Sequence, residues 1–419
     1  MKVWILFRIA TLALLVSCAF TGCASIGPAT LDQTRLQYNE AVKRTTEEQL
    51  LLNIVRLRYT DTPSSLAVSS IAAQFERTQS VAVLPFFTAA GGDISRSFTT
   101  VLPQAQFQAA DRPTFSLTPL DDQEFTRKLF TPLPLDGVIY LAKTTWPISK
   151  VFRLYLENLN WIPNAQTASG PTPRQAPPVS EFLRGVAALQ SMQDRGAIVF
   201  GLTNREEQVG GALPAATVSA GSVIEAAKNG LEYRPDEDGR RWRLFRKTST
   251  PVLRLDPDEI DSPDVRIFEE VFHLRPGATE LAITQEALTP FRSAFPKGGL
   301  SSLDLETRSL LQTLYYVSHG VEVPADHQAR GLVTVTRDAA GQPFDWHVVM
   351  RDLFHVHTTG GKERPGNAHV AVNYRGHWFY VDESDQDTKA TFSLLVELSR
   401  LELSGKTGPG PQLTLPVGR

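Results

Sequence analysis

Residues 368–382 read AHVAVNYRGHWFYVD, two alternating stretches that meet at Arg375-Gly376. If Arg375-Gly376 forms a two-residue turn, the pairing of the two strands follows by counting outward from it. One side of this hairpin then carries valines and aromatic residues and faces a core. The other side places His369 directly across from Asp382, within hydrogen-bonding reach of a cross-strand neighbour. The stretch therefore predicts an antiparallel β-hairpin that presents a histidine beside a carboxylate.

A histidine beside a carboxylate has a chemical and a structural interpretation. The pair is the base and orienting half of a nucleophilic triad, which also needs a hydroxyl or thiol. It is equally a structural contact that fixes one strand against the next. The sequence leaves both interpretations of His369 and Asp382 open.

The hairpin, together with a helix predicted over residues 303–318, resembles the transglutaminase-like thiol fold. The matching motifs are AHV at 368–370 and HWFYVD at 377–382. In that family a cysteine at a helix N-terminus attacks the acyl group. This sequence has no cysteine there, and Thr307 and Ser309 lie in the comparable helix. The resemblance implies either a serine enzyme or a relative that has lost catalysis and retains binding.

Alternation and helical periodicity follow one another along the chain, which predicts an α+β protein of several small modules with antiparallel sheets. It would end in a C-terminal domain made of a helix and the β-hairpin. The 419 residues suffice for two or three domains. We predict a signal segment over 1–22, a helix plus α+β domain over 23–162, a linker over 163–178, a small α+β module over 179–250, a connecting segment over 251–300 and the C-terminal domain over 301–419.

Three local patterns support this division. Apolar spacing predicts a helix over 31–59, and the serine-, valine- and phenylalanine-rich stretch 64–117 predicts antiparallel strands. A further helix is predicted to begin after Pro147, since proline suits a first helical turn. Residues 163–178 contain five prolines and a single charge, which is typical of a linker.

The N-terminus has the pattern of a secretory signal. Lys2 and Arg8 precede an uncharged stretch that is too short to cross a hydrocarbon core of about 30 Å. Residues 20–23, FTGC, resemble the lipobox of bacterial lipoproteins. In that family the signal is cut before the cysteine, here Cys23, which is then fatty-acylated. Ala24 follows where inner-membrane lipoproteins carry Asp, which implies an outer-membrane location on the periplasmic face.

Charge and cysteine content limit the partners. Lys and Arg total 42 against 45 Asp and Glu, a net charge of −3, whereas nucleic-acid-binding domains are strongly basic. We therefore predict no nucleic-acid partner. Cys18 and Cys23 are the only cysteines, so cleavage before Cys23 leaves no pair for a disulfide and no cysteine-based zinc site.

Seven of the eight histidines lie between residues 319 and 377. His355 and His357 share one face of a predicted strand, and His347 or Asp345 lies close enough in sequence to approach them. Zinc requires three or four ligands, and two at strand spacing do not make a site. The sequence therefore predicts no metal and no cofactor.

A basic stretch, RRWRLFRK at 240–247, is the candidate for ligand binding. On a strand, Trp242 faces inward while Arg241 and Arg243 face water. One interpretation is an ordinary solvated strand face. The other is that the arginine side chains bind an anionic envelope component, a phosphate-bearing glycolipid or an acidic polysaccharide.

As a whole the chain resembles an uncharacterised family of proteobacterial lipoproteins. The resemblance rests on YNEAVKRTTEEQLLLNIVRLRYTDTP (38–63), HWFYVDESDQDTKATFSLLVEL (377–398) and LTLPVGR (413–419). The resemblance implies a cellular location but no activity. We expect a non-enzymatic scaffold or binding subunit, held to the membrane by its lipid and in contact with other envelope proteins. The alternative is a hydrolase or acyltransferase that uses His369 and Asp382 with a hydroxyl nucleophile.

The lipid anchor can be tested with the two cysteines of the chain. Cys23→Ser should abolish incorporation of radiolabelled palmitate and release the protein from the membrane fraction, because several acyl chains hold a protein durably whereas none remains here. Cys18→Ser is the matched control and should label like the parent. Parental labelling of the Cys23→Ser protein would contradict the anchor.

Overall fold

The computed structural model describes residues 26–64, 66–72, 75–87, 99–111, 114–119, 123–285, 291 and 295–403. The predicted signal segment, Cys23 and the tail motif at 413–419 lie outside these residues. The chain divides into two compact units, of which the second comprises Lys43–Pro63 and Gln123–Leu403. The first unit contains the described residues outside those two ranges.

The strands of the first unit pair in an antiparallel manner, as predicted for residues 64–117. They are β1 (Leu66–Ala72), β2 (Phe75–Phe87), β3 (Thr99–Asp111) and β4 (Thr114–Pro119). β1 pairs with β4, and β2 pairs with β3 along its whole length. The predicted long helix is confirmed as α1 (Ile26–Arg58), whose residues from Lys43 onward belong to the second unit.

The second unit is rich in short helices. They are α2 (Gln123–Phe130), α3 (Leu135–Lys143), α4 (Ile148–Tyr155), α5 (Ser180–Asp194), α6 (Ala220–Lys228), α7 (Pro263–Val271), α8 (Leu310–Ser318), α9 (Ala325–Ala329), α10 (His347–Met350) and α11 (Gln386–Leu403). Pro147 precedes α4 as predicted. Across the described ranges, no helix is both long enough and apolar enough to cross a bilayer.

A seven-stranded sheet organises the second unit. Its strands are β5 (Leu156–Leu159), β6 (Ile162–Pro163), β7 (Ile198–Pro214), β8 (Leu231–Pro235), β9 (Arg241–Leu255), β10 (Glu280–Thr284) and β11 (Ser302–Thr307). The order is β6-β5-β11-β10-β9-β7, and β8 pairs with β9. β10 and β11 run parallel, and the other described pairs are antiparallel.

The hairpin at Arg375-Gly376 forms as predicted. β12 (His357–Gly360), β13 (Ala368–Tyr374) and β14 (His377–Asp382) make an antiparallel sheet in the order β12-β14-β13. Arg375 and Gly376 have φ angles of 50° and 89°, the positive pair that a two-residue hairpin turn demands. Val370, Val381 and Phe379 are buried, so the apolar side of the hairpin does face a core. Together with the mixed helices and sheets, this confirms the α+β class.

The structure does not separate the modules where the composition suggested. Strands from 156–163, 198–255 and 280–307 share one sheet, so the boundaries predicted between residues 162 and 301 fall inside the second unit. The segment 163–178 is not an exposed linker, because Asn164, Ala165 and Ala168 are completely buried. Side-chain hydrogen bonds hold this segment in the unit, including those of Asn164 to the carbonyls of Arg153 and Leu156.

The helix predicted over 303–318 forms only in its second half. Residues 302–307 are β11, in which Leu303, Leu305 and Thr307 are buried. The helix α8 starts after Ser309, whose hydroxyl accepts the backbone N–H of Gln312 in a capping box. This local start signal, and the alternation before it, outweigh the apolar spacing that suggested a longer helix.

Arg308 sits between β11 and α8 and is completely buried. Its guanidinium donates to the carbonyls of Arg153 (2.9 Å) and Asn164 (2.6 Å) and to the Ser169 hydroxyl (2.9 Å). It also lies 3.8 Å from the ring centroid of Tyr316. Burial lowers the pKa of Arg308 to about 10, so the group remains charged at neutral pH. One cation thus joins α4, the 163–178 segment and α8.

Replacing Arg308 with methionine should lower the free energy of unfolding by about 3–5 kcal/mol, because it leaves several buried acceptors without a donor. The exposed Arg266→Met is the matched control and should cost less than about 0.5 kcal/mol. Urea unfolding followed by circular dichroism measures both variants. Equal stability of the two would show that Arg308 does not hold the fold together.

Candidate functional site

The second unit contains a cleft of about 290 Å³ between the end of α1, the end of α8 and the segment 333–350. Polar and apolar side chains line it in about equal measure. The wall includes Val333, Phe344, Met350 and Phe354. Gly320 also lines the cleft. A Cβ at this position would lie 2.4 Å from the Phe354 carbonyl oxygen, so the close approach of the two chain segments requires glycine.

Arg58 brings a positive charge to the floor of the cleft. It is the last residue of α1, which packs through Leu51, Ile54 and Val55, and its side chain is 7% exposed. Nη1 donates to the Thr172 hydroxyl at 2.8 Å, whereas the buried Nε has no hydrogen-bond partner within the described residues. Burial lowers the pKa of Arg58 to about 10, which leaves the guanidinium charged at neutral pH.

His319 supplies a hydrogen-bond acceptor beside this charge. It follows α8 and is 3% exposed. Its Nδ1 lies 2.8 Å from the Tyr315 carbonyl oxygen and 3.2 Å from that of Tyr316, so Nδ1 carries the proton and donates. Nε2 is then a bare acceptor, and it has no partner in the described part of the chain. Burial, aided by the charge of Arg58, lowers the pKa of His319 to about 3.

Trp346 completes the polar floor with a donor. Its ring lies against His319, with 4.0 Å between ring centroids, and meets the edge of Phe344. The indole is 9% exposed, and its Nε1–H has no acceptor among the residues described. Buried polar groups are normally paired, so three unpaired ones around one cleft indicate positions at which a ligand supplies the partners.

At the mouth, Glu322 and His355 line the cleft, and His357 lies next to Glu322. His355 Nε2 is 2.9 Å from Glu322 Oε1, and His357 Nδ1 is 3.4 Å from the same oxygen. The backbone N–H of Thr358 donates to the other carboxylate oxygen at 2.9 Å. The bond to Glu322 raises the pKa of His355, and in return the His355 and Thr358 contacts hold the pKa of Glu322 below its usual value against the effect of burial. The mouth is therefore a self-contained ion pair.

The predicted catalytic pair does not form. A β-bulge in β13 pairs Ala368, rather than His369, with Asp382. His369 Nδ1 instead lies 3.1 Å from Glu383 Oε2, while the Asp382 carboxylate accepts the Ser384 hydroxyl and backbone N–H. The extra residue of the bulge shifts His369 out of the register that counting from the turn had assigned.

Ser309 does not complete a triad with these two residues. Its side chain is buried, and its hydroxyl caps α8 by accepting the N–H of Gln312. The described hydrogen bonds of His369, Asp382 and Ser309 include none between any two of them. Ser309 thus serves the helix start rather than a reaction.

The basic stretch on β9 alternates as predicted. Arg241 and Arg243 are exposed and Trp242 is half-buried. Arg243 Nε, however, donates to Asp236 Oδ1 at 2.8 Å, so a carboxylate already neutralises it. Capture of an anion by these residues stays a prediction, whereas Arg58 and Trp346, each with a buried donor that has no partner in the described chain, line the cleft.

The sequence does not reveal the cleft, because Arg58, His319 and Trp346 are far apart in the chain and follow no spacing rule. The concentration of histidines between 319 and 377 was the available signal. It identified the mouth residues His355 and His357, but Glu322 joins them only through the parallel bridge between residues 321 and 356. Contacts between residues so far apart in the sequence form only in the folded chain.

No protein-family model matches this chain, and neither the curated proteins nor the solved structures contain a similar one.

The neutral state of His319 has a measurable effect on stability. Below pH 6.5 the unfolded chain protonates this histidine while the folded chain does not, so stability is lost as the pH falls. We expect the loss to approach about 1.4 kcal/mol per pH unit and to total about 1.6 kcal/mol between pH 6.5 and 5. Urea unfolding of His319→Gln should lack this part of the slope. The exposed His347→Gln is the control, and an identical slope in all three proteins would contradict the assignment.

Proposed function

We propose that this protein is a lipid-anchored, periplasm-facing envelope lipoprotein that acts as a non-enzymatic binding subunit for a small anionic ligand. The observation that supports binding is the group of unpaired buried polar atoms on the cleft floor: Arg58 Nε, His319 Nε2 and Trp346 Nε1. The proposed location rests on the signal and lipobox pattern at the N-terminus. Other envelope proteins remain expected partners from the sequence.

The chemistry of the floor defines the ligand class. The Arg58 guanidinium and the Trp346 indole N–H are both hydrogen-bond donors. A carboxylate or phosphate group would accept hydrogen bonds from them and balance the charge of Arg58. The bare Nε2 of His319 accepts, so the ligand also carries a hydroxyl or an amine. At about 290 Å³ the cleft is at the lower end of ligand pockets, which suits a small hydroxylated or amino acid rather than a polymer.

The hydrolase or acyltransferase alternative has less support. It requires His369, Asp382 and a hydroxyl to converge in an open cleft. Instead His369 contacts Glu383, and Ser309 is buried as a helix cap. A binding role needs no such convergence.

The ligand is identified first: full-length protein, purified in detergent, is denatured and the released small molecules are analysed by mass spectrometry. The variant Trp346→Phe, which removes the indole N–H and keeps an aromatic ring in the wall, then tests where the ligand binds. We expect one acidic compound near one equivalent, and calorimetric titration of that compound should show roughly tenfold weaker binding to Trp346→Phe, the value of about one hydrogen bond.

Trp242→Phe, on β9 and half-buried, is the matched control and should bind like the parent. A parental affinity of Trp346→Phe, or a loss confined to Trp242→Phe, would remove the ligand from the cleft. Absence of any released compound and of any thermal stabilisation by lactate, serine or glucuronate would contradict a binding function of this kind.

A further inference from the structure

A second group of histidines lies around Asp326, apart from the residues that line the cleft. His327 belongs to α9 and His377 to β14, and one ligand atom from each of these three residues lies within 4.8 Å of the others. Asp326 Oδ2 is 3.7 Å from His327 Nε2, and Asp326 Oδ1 is 3.6 Å from His377 Nε2. Two ring nitrogens thus face one carboxylate.

These separations are too long for hydrogen bonds, which require about 2.7–3.2 Å. They are close to the distance of about 3.4 Å between neighbouring ligands of a tetrahedral zinc ion, given Zn–N and Zn–O bonds of about 2.0–2.2 Å. The space between the carboxylate and the rings therefore has the dimensions of a coordination site rather than of an ion pair.

His327 provides an independent observation. Its side chain is 1% exposed, yet its Nε2 has no hydrogen-bond partner within the described residues. A buried imidazole nitrogen that has no hydrogen-bond partner and lies 3.7 Å from a carboxylate oxygen is available to coordinate an ion.

The outer contacts also fit a metal ligand. His327 Nδ1 is 2.7 Å from the Tyr59 hydroxyl, so Nδ1–H can donate to this oxygen and leave Nε2 free to coordinate. Tyr59 is 4% exposed and lies edge-on to His327, Tyr374 and Phe379, which fixes its position. Asp326 is 55% exposed, so an ion reaches the site from solvent.

The cluster at the cleft mouth is the weaker of the two candidates. There His355 and Glu322 already form a hydrogen bond of 2.9 Å, and both oxygens of Glu322 are used. A metal would have to replace that ion pair. Around Asp326, neither ring nitrogen that faces the carboxylate is within hydrogen-bonding distance of it.

We propose that Asp326, His327 and His377 form a binding site for one divalent transition metal ion, with Zn²⁺ as the best match for two imidazoles and one carboxylate. Three protein ligands leave a fourth position for water or a further ligand. The site is independent of the proposed ligand cleft.

Zinc titration of the full-length protein tests the site. The protein is purified in detergent with a tag that lacks histidine, stripped with a chelator, and titrated with Zn²⁺ in competition with a chromogenic indicator. We expect one equivalent to bind. Asp326→Asn and His377→Ala, both at positions with solvent access, should weaken binding by more than about 100-fold, beyond the range of outer-shell changes.

Further variants test which residues hold the ion. Tyr59→Phe should weaken binding by about 10–100-fold, since it removes only the outer-shell contact of His327. His369→Ala, a strand histidine that contacts Glu383, should leave binding unchanged. Binding that is lost in His355→Ala and retained in His377→Ala would assign the ion to the cleft mouth and overturn the proposal. No zinc bound by the parent protein would also overturn it.

Discussion

The buried guanidinium of Arg308 is the constraint on which the second unit depends. It has no carboxylate partner among its described contacts, and its charge is met instead by carbonyl oxygens, including those of Arg153 and Leu154 in the last turn of α4. The C-terminal end of a helix carries partial negative charge, so this position favours a cation. Because a buried charge must keep its hydrogen bonds, the carbonyl of Asn164 and the hydroxyl of Ser169 are held in place with it.

This constraint extends to the cleft. Thr172 lies in the same 163–178 segment and accepts the hydrogen bond from Arg58 on the cleft floor. Thr336 donates to the carbonyl of Pro173 at 2.6 Å, and the backbone N–H of Arg337 donates to that of Arg174, so the segment also fixes the chain next to Phe344. A stretch whose composition is typical of a free linker therefore acts as the support of the site.

Local physics explains which features the sequence revealed. The hairpin turn, the helix after Pro147 and the antiparallel strands of the first unit depend on neighbouring residues, and they were predicted correctly. His369 was misplaced because one bulge residue changes the register, and counting from a turn cannot detect a bulge. The proline content of 163–178 predicted a linker. That prediction failed because composition carries no information about Arg308, which binds the segment from more than 130 residues away. Arg58, His319 and Trp346 converge only through tertiary contacts, so no spacing in the sequence marks them.

Among the described residues of the second unit, Arg58 and Arg308 are the buried arginines, and comparing them shows why the cleft floor is interpreted as a binding site. In Arg308, Nε and both terminal nitrogens donate hydrogen bonds, as a cation that only stabilises the fold should. Arg58 is nearly as buried, yet its Nε has no partner within the described chain, and the acceptor on His319 and the donor on Trp346 beside it are in the same state. Each buried polar group without a partner destabilises the fold by about 1–3 kcal/mol. Apolar side chains at these three positions would not carry that penalty. Other buried polar atoms of the described chain are also unpaired, among them His327 Nε2, but on the cleft floor three of them belong to residues that line one cavity, where a ligand with an acidic group and a hydroxyl or an amine would supply their partners.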